Sequence, residues 1–271
     1  MVLEHIFSMR NIREEPYKLL PLTMLHLSVG VAVYLLLPSL GSSHLVFTLF
    51  PLLPIMLRLL YWEERAEEVS LSRHDTNFFE YHRLLLESFS FIFVGAMLAT
   101  TIWFVALPYG ARASVFDREM NEIELIQRTV SETAATGVTG HATKPDFFSL
   151  LFWHNLQVLA IIFAFNIFYG VGSTYLLLWN ASILGVFTGI CMQEHGYLAG
   201  FLGSFLGLLP HGIFEVSAYF VASIAGGILS VAIMRRRIER PELKLVALDA
   251  AFLTAISIIL LFIGALVESS Y

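Results

Sequence analysis

Charged residues are scarce in this chain. Asp, Glu, Lys and Arg make up 14% of the 271 residues, whereas hydrophobic residues make up 57%. A soluble domain of average composition carries about 25% charged residues, because its surface faces water. The scarcity excludes an ordinary soluble domain and indicates that lipid is the main solvent of this chain.

Positive charge and cysteine are also in short supply. The formal net charge is −6 at pH 7, and binding a nucleic-acid backbone requires concentrated Lys and Arg, so we exclude nucleic acid as a partner. The single cysteine, Cys191, lies in an apolar run and supports neither a disulfide within the chain nor a cysteine-based metal site. The sequence also has no nucleophile elbow, phosphate-binding loop or nucleotide-binding fingerprint.

Long apolar runs are what the sequence has instead. Each is close to the roughly 20 residues with which a helix crosses a hydrocarbon core, so the runs predict an all-α, polytopic integral membrane bundle. The seven predicted spans are residues 19–37, 45–60, 89–107, 150–169, 173–192, 213–234 and 245–267. A further glycine-rich run, Tyr197 to Leu209, is too short to cross, and we expect it to be a short re-entrant helix within the bundle.

Lys and Arg are distributed unevenly between the predicted loops. With 197–209 re-entrant, only Arg112, Arg118, Arg128 and Lys144 of the sixteen basic residues fall on the side opposite the N-terminus. Short cytoplasmic loops retain positive charge. The distribution predicts a multi-pass inner-membrane protein whose N-terminus is cytoplasmic and whose C-terminus is extracytoplasmic.

The predicted spans divide the chain into three parts. Residues 1–109 contain three spans and a cytoplasmic amphipathic helix at 58–87, whose simpler interpretation is an extension of the second span along the interface. Residues 110–147 form an acidic extracytoplasmic helix and loop. Residues 148–271 contain four spans and the re-entrant segment.

Ionisable and amide residues at the ends of the later spans are the main candidates for function. Charge at membrane depth is costly, so such residues generally face protein or a cavity. The candidate polar cluster consists of His154, Asn155, Glu194, His195, His211, Glu215 and Glu268. His211 and Glu215 are four residues apart and share one helix face, and Asn155 and Asn166 share one face of the fourth span.

The polar cluster has two interpretations. In the first, it is a structural network of hydrogen bonds between helices. In the second, His195, His211 and Glu215 hold a divalent metal ion, or the cluster relays protons. Spacing does not separate the two, although Pro210 to Glu215 lacks the second histidine of a zincin motif. We favour the structural network and predict no cofactor, with a divalent metal as the alternative.

Small residues indicate where helices pack closely, because they let membrane helices approach one another. The candidate packing residues are Gly185, Gly189, Gly203, Gly207, Ala218, Ala222 and Gly226. The four earlier glycines form two G-x-x-x-G motifs, and the last three residues lie below His211 and Glu215. We predict packing inside the chain, with a dimer interface as the alternative.

The element Pro210-His211-Gly212-x-x-Glu215 resembles the stage II sporulation protein M family of integral membrane proteins. The resemblance covers residues 146–268. It includes Asn155, Asn180 with Gly185, the small-residue run Ala218 to Gly227, and Gly264 to Glu268. For sporulating bacteria, the role that this resemblance implies is that of a membrane anchor, which recruits cell-wall-degrading partners to a septum.

The resemblance implies a membrane scaffold or assembly subunit, a role that requires no catalysis by the chain and therefore leans against an enzyme. Its expected partners are the lipid bilayer and a protein partner or a second copy of the chain. The alternative is a metal- or proton-dependent membrane enzyme or transporter that uses the His and Glu residues of the polar cluster.

Overall fold

The architecture is entirely helical in the part of the chain that the structure, a computed structural model, describes: residues 9–38, 43–71, 78–138, 144–234 and 241–270. These ranges contain ten α-helices, one turn of 3₁₀ helix at Pro16–Lys18, and no strand. The α-helices are α1 Met9–Glu14, α2 Leu19–Leu36, α3 His44–Leu71, α4 Phe78–Ala106, α5 Tyr109–Val115, α6 Asp117–Val138, α7 Lys144–Tyr169, α8 Ser173–His195, α9 Tyr197–Met234 and α10 Pro241–Glu268.

Seven of the helices within the described ranges are long and apolar enough to cross a membrane. They are α2, α3, α4, α7, α8, α9 and α10, and they coincide with the seven predicted spans. The prediction of a polytopic helical membrane bundle is therefore confirmed.

The glycine-rich run at 197–209 differs from its prediction, because it is not a separate re-entrant helix. It is continuous with the sixth span in α9, and Pro210 lies inside that helix. A continuous helix satisfies its backbone hydrogen bonds internally, whereas a re-entrant turn would need other partners for them. Gly196, with a φ of 89°, forms the turn from α8, and a Cβ at Gly200 would overlap the backbone of Cys191.

The predicted cytoplasmic helix at 58–87 also differs. Its first part continues the second span in α3 as far as Leu71, and Pro51 and Pro54 lie inside this helix without ending it. Residues 72–77 lie outside the described ranges, and the last part of the segment belongs to α4. The simpler interpretation, a helix that extends the second span, fits the structure.

Helix α9 lies at the centre of the bundle and packs against α10, α8, α7, α3 and α4. The small residues of α9 permit this packing, because they let the neighbouring helices come close to it. Ala218 and Ala222 are fully buried, and a Cβ at Gly226 would lie 2.7 Å from the Cβ of Asn166 and 2.8 Å from the carbonyl oxygen of Phe163 on α7. Only glycine at this position lets α7 approach so closely.

The two G-x-x-x-G motifs behave differently. On α8, a Cβ at Gly185 would lie 2.7 Å from the carbonyl oxygen of Met97 on α4, and a Cβ at Gly189 would overlap the ring of Phe104. On α9, an added Cβ at Gly203 or Gly207 would meet no atom of the described residues within 4 Å. Among the described residues, close packing is therefore present at the motif on α8 and not at Gly203 and Gly207.

The contrast between Gly226 and Gly203 on one helix provides a test of packing. Gly226→Leu should lower the free energy of unfolding by about 2 kcal/mol or more, because the backbone of α7 cannot move out of the way locally. Gly203→Leu, the matched control, should leave stability unchanged or raise it slightly, since leucine is the better helix former. Thermal unfolding in detergent measures both, and equal melting temperatures would contradict the packing of α7 on α9.

Candidate functional site

The polar site is built around Asn155, which joins two spans. Its Nδ2 donates a hydrogen bond to Glu215 Oε1 on α9 at 2.5 Å, and its Oδ1 accepts a hydrogen bond from the hydroxyl of Tyr219 at 3.2 Å. Asn155 is 8% exposed and Tyr219 is buried. One turn separates Glu215 from Tyr219, so both reach the same amide, which uses its donor and its acceptor to hold α7 against α9.

A second asparagine makes an equivalent connection deeper in the bundle. Asn166 is fully buried and its Nδ2 donates a hydrogen bond to the carbonyl oxygen of Ser223 at 2.5 Å. Its Oδ1 accepts a hydrogen bond from the backbone N–H of Ser173, at the start of α8, at 2.7 Å. Both asparagines face α9, in agreement with the shared face predicted for them. Asn155 contacts Glu215, and Asn166, later in α7, contacts Ser223, later in α9. The residue numbers therefore increase in the same direction along both helices, and α7 and α9 run parallel.

A cavity of about 680 Å³ lies beside the Asn155 network. Residues from α4, α6, α7, α8, α9 and α10 line it, and most of them are apolar. The polar residues at one end of the cavity are His154, Asn155, His211, Glu215, Tyr219 and Glu268. Glu268, the last residue of α10, is near enough to His154, His211 and Glu215 to interact with them electrostatically.

The structure brings together five of the seven residues of the predicted polar cluster. Glu194 and His195 are exposed on the last turn of α8 and do not line the cavity, and His195 Nδ1 lies 3.3 Å from the carbonyl oxygen of Cys191. The suggested metal set of His195, His211 and Glu215 is therefore divided between two places. Within the described residues, no three His, Cys, Asp or Glu side chains are placed to hold a metal ion.

A second polar site, which sequence reasoning missed, lies where α6 begins. Glu119 is 1% exposed and its Oε1 accepts a hydrogen bond from the hydroxyl of Ser182 on α8 at 2.9 Å. The same oxygen lies 3.7 Å from Nε2 of the buried His44, at the start of α3. Phe116 packs edge-on against the His44 ring, with 5.1 Å between ring centroids. The first turn of α6 is thereby attached to two spans.

The sequence does contain a signal for this second site. Phe116, Glu119 and Ile123 recur at helical spacing and all three are buried, so Glu119 is an acid on the apolar face of an amphipathic helix. Burial raises the pKa of the Glu119 carboxyl to about 7, and the hydrogen bond from Ser182 opposes part of that shift.

Sequence reasoning also missed an ion pair between α4 and α10. His82 Nε2 lies 3.5 Å from Asp249 Oδ2, and the His82 side chain is buried. The pair lies near the start of each span, so it joins the ends opposite the Asn155 network.

The fold and the polar site together define a polytopic α-helical membrane protein whose spans are joined by buried amide and carboxyl groups. Residues 88–270, more than half of the chain, match the family described as Stage II sporulation protein M. The chain belongs to the stage II sporulation protein M family.

One relative among the curated proteins comes from Methanocaldococcus jannaschii, and its name describes it only as an uncharacterized protein. It is 29% identical to this chain over 124 residues, which cover 45% of this chain and 68% of that protein. No solved structure matches the chain. The family match extends the resemblance toward the N-terminus and includes Glu119 and Ser182, but it does not reach His44.

Replacement of Asn155 tests whether its amide joins the helices. Asn155→Ala should lower the free energy of unfolding by about 1–3 kcal/mol, because Glu215 and Tyr219 lose a buried hydrogen-bond partner. The matched control is Asn180→Ala. Asn180 also lines the cavity beside Asn155, but its side chain donates its hydrogen bond to Leu176 of its own helix. We therefore expect the free energy of unfolding of Asn180→Ala to change by about 0.5 kcal/mol or less. Equal losses in a detergent unfolding titration would contradict this role.

Burial of Glu119 predicts an unusual dependence of stability on pH. Because its pKa is about 7 in the folded protein and near 4.5 in the unfolded chain, the folded state binds the proton more tightly. Stability should therefore fall as the pH rises from about 4.5 to about 7, by on the order of 3 kcal/mol, and then level off. Glu119→Gln should remove this contribution of about 3 kcal/mol and flatten the pH profile by that amount, because glutamine does not titrate and its carbonyl can still accept the Ser182 bond.

The control for this experiment is Glu124→Gln on the exposed face of the same helix, which should keep the wild-type pH profile. Melting temperatures measured between pH 4.5 and pH 8 report the result. A decline of the full wild-type size in Glu119→Gln would show that Glu119 does not contribute to it.

Proposed function

We propose that this protein is a membrane scaffold or assembly subunit. Its seven spans anchor it in an inner membrane, with the N-terminus in the cytoplasm and the C-terminus outside. It binds a protein partner, or a second copy of the chain, through the exposed face of α6.

The observation that carries the proposal is how the polar side chains are used. Asn155 and Asn166 connect α7 to α9, Asn166 also holds the start of α8, and Glu119 connects α6 to α8. Polar side chains in this bundle thus hold helices at fixed positions. A rigid bundle that presents a surface helix is what a scaffold requires, and family membership is consistent with it.

Helix α6 is suited to the role of docking element. Its buried face, including Glu119 and Ile123, attaches it to the bundle. The opposite face presents exposed polar and charged residues. These are Asp117, Arg118, Asn121, Glu124 and Arg128. A mixed charged face of this kind favours an electrostatically matched protein partner.

The test is whether changing this face removes a bound partner without unfolding the protein. The double substitution Glu124→Lys with Asn121→Lys alters the charge of the exposed face of α6 but leaves Glu119 in place. Protein extracted from its native membrane in mild detergent should sediment as a complex larger than one chain, and the double variant should lose the additional mass. Ile259→Ala, at an exposed apolar position on α10, is the control and should retain it.

The melting temperature of the double variant should match that of the wild type, so that a lost partner is not a consequence of unfolding. A wild-type protein that sediments as a single chain, or a double variant that keeps its full mass, would refute the proposed role of α6.

A further inference from the structure

We propose that the cavity beside Asn155 binds a membrane amphiphile with one long apolar chain and an amine-bearing head group. This site is separate from the proposed docking face of α6, and the inference does not rest on the scaffold role. It follows from the length, volume, wall chemistry and charge of the cavity.

The cavity is shorter than a bilayer is thick. At 1.5 Å per residue, its lining extends about 16 Å along α7, from Leu150 to Ile161, and about 21 Å along α9, from Phe205 to Tyr219. The hydrocarbon core of a bilayer is roughly 30 Å thick, so the cavity has the length for one chain of an amphiphile and not for a segment that crosses the membrane. On α7 the polar residues His154 and Asn155 mark the level at which a head group would lie.

The volume of the cavity is that of a small-molecule site. About 680 Å³ lies within the range of roughly 300–1,000 Å³ found for such sites. A single hydrocarbon chain with a small head group is an occupant of this size.

The walls away from the polar end are mainly aliphatic and aromatic, although Glu122, Thr129 and Asn180 also line the cavity. The apolar lining residues include Val94, Met97, Val158, Ile161, Ile183 and Leu184. Ile161 is 48% exposed in the isolated protein even though it faces the cavity, so apolar surface remains there for a ligand to cover. A hydrocarbon chain is the complementary occupant of such a wall.

The head-group end has hydrogen-bond acceptors but lacks a fixed positive charge. Glu215 and Glu268 supply carboxyl oxygens, and the hydrogen bond that Asn155 donates goes to Oε1 of Glu215. Among the described residues that line the cavity there is no Lys or Arg. His154 and His211 are the only groups in this part of the described lining that can become cationic, and both lie near Glu268. A phosphate or carboxylate head group would have to approach two carboxyl groups, whereas an ammonium group can donate to both of them.

Three probes with the same chain length test the head-group chemistry: hexadecylamine, hexadecan-1-ol and hexadecanoic acid. Each is titrated into the full-length protein in a non-ionic detergent near pH 7, and bound probe is counted by native mass spectrometry. We expect hexadecylamine to bind one per chain and at least tenfold more tightly than the other two, because only the amine makes charge-assisted hydrogen bonds. Equal or tighter binding of hexadecanoic acid would overturn the proposal.

Matched variants locate the site. Ile161→Trp fills the cavity and should abolish binding of the amine. Ile259→Trp, at a position that is 58% exposed but does not line the cavity, should leave binding unchanged. Glu268→Gln and Glu215→Gln should each weaken amine binding about tenfold or more.

If Glu215→Gln does not fold, Glu268→Gln and Ile161→Trp decide the question. Amine binding that is the same in Ile161→Trp and Ile259→Trp would show partition into the detergent micelle, and the proposal would be wrong.

Discussion

The hydrogen bond between Asn155 and Glu215 is the interaction on which the later spans depend. Inside a bilayer a carboxyl group cannot be solvated by water, so a neighbouring helix must supply its partner. Asn155 does so with its amide donor and uses its acceptor for Tyr219. The close approach that this bond needs exists because Ala218, Ala222 and Gly226 place almost no side chain between α9 and its neighbours.

The same bond also explains why the cavity exists. Asn155 and Asn166 fasten α7 to α9, so α7 packs only lightly against α8 on its other side. The space between α7 and α8 remains open and is bounded outside by α6, whose first turn is attached through Glu119. A rigid framework and an apolar cavity with a polar end are thus two consequences of one set of contacts.

Much of this arrangement could be predicted from the sequence, because the membrane restricts the choices. Span number follows from the length of apolar runs, and the shared face of Asn155 and Asn166 follows from helical periodicity. Other features depend on tertiary contacts that no local pattern encodes. The turn at Gly196 exposes Glu194 and His195, and the continuity of α9 past Pro210 makes the re-entrant prediction wrong. His44 and Glu119 are 75 positions apart, so only the fold shows that they meet.

The coupling energy between Asn155 and Glu215 tests the central claim most directly. A double-mutant cycle with Asn155→Ala, Glu215→Ala and the double variant, followed by unfolding in detergent, isolates the interaction of the two side chains. A bond that joins α7 to α9 predicts a coupling energy of about 1 kcal/mol, since a typical hydrogen bond within a protein contributes about 0.5–1.5 kcal/mol. Additive effects of the two substitutions, with a coupling energy near zero, would contradict the claim that this bond holds the bundle together.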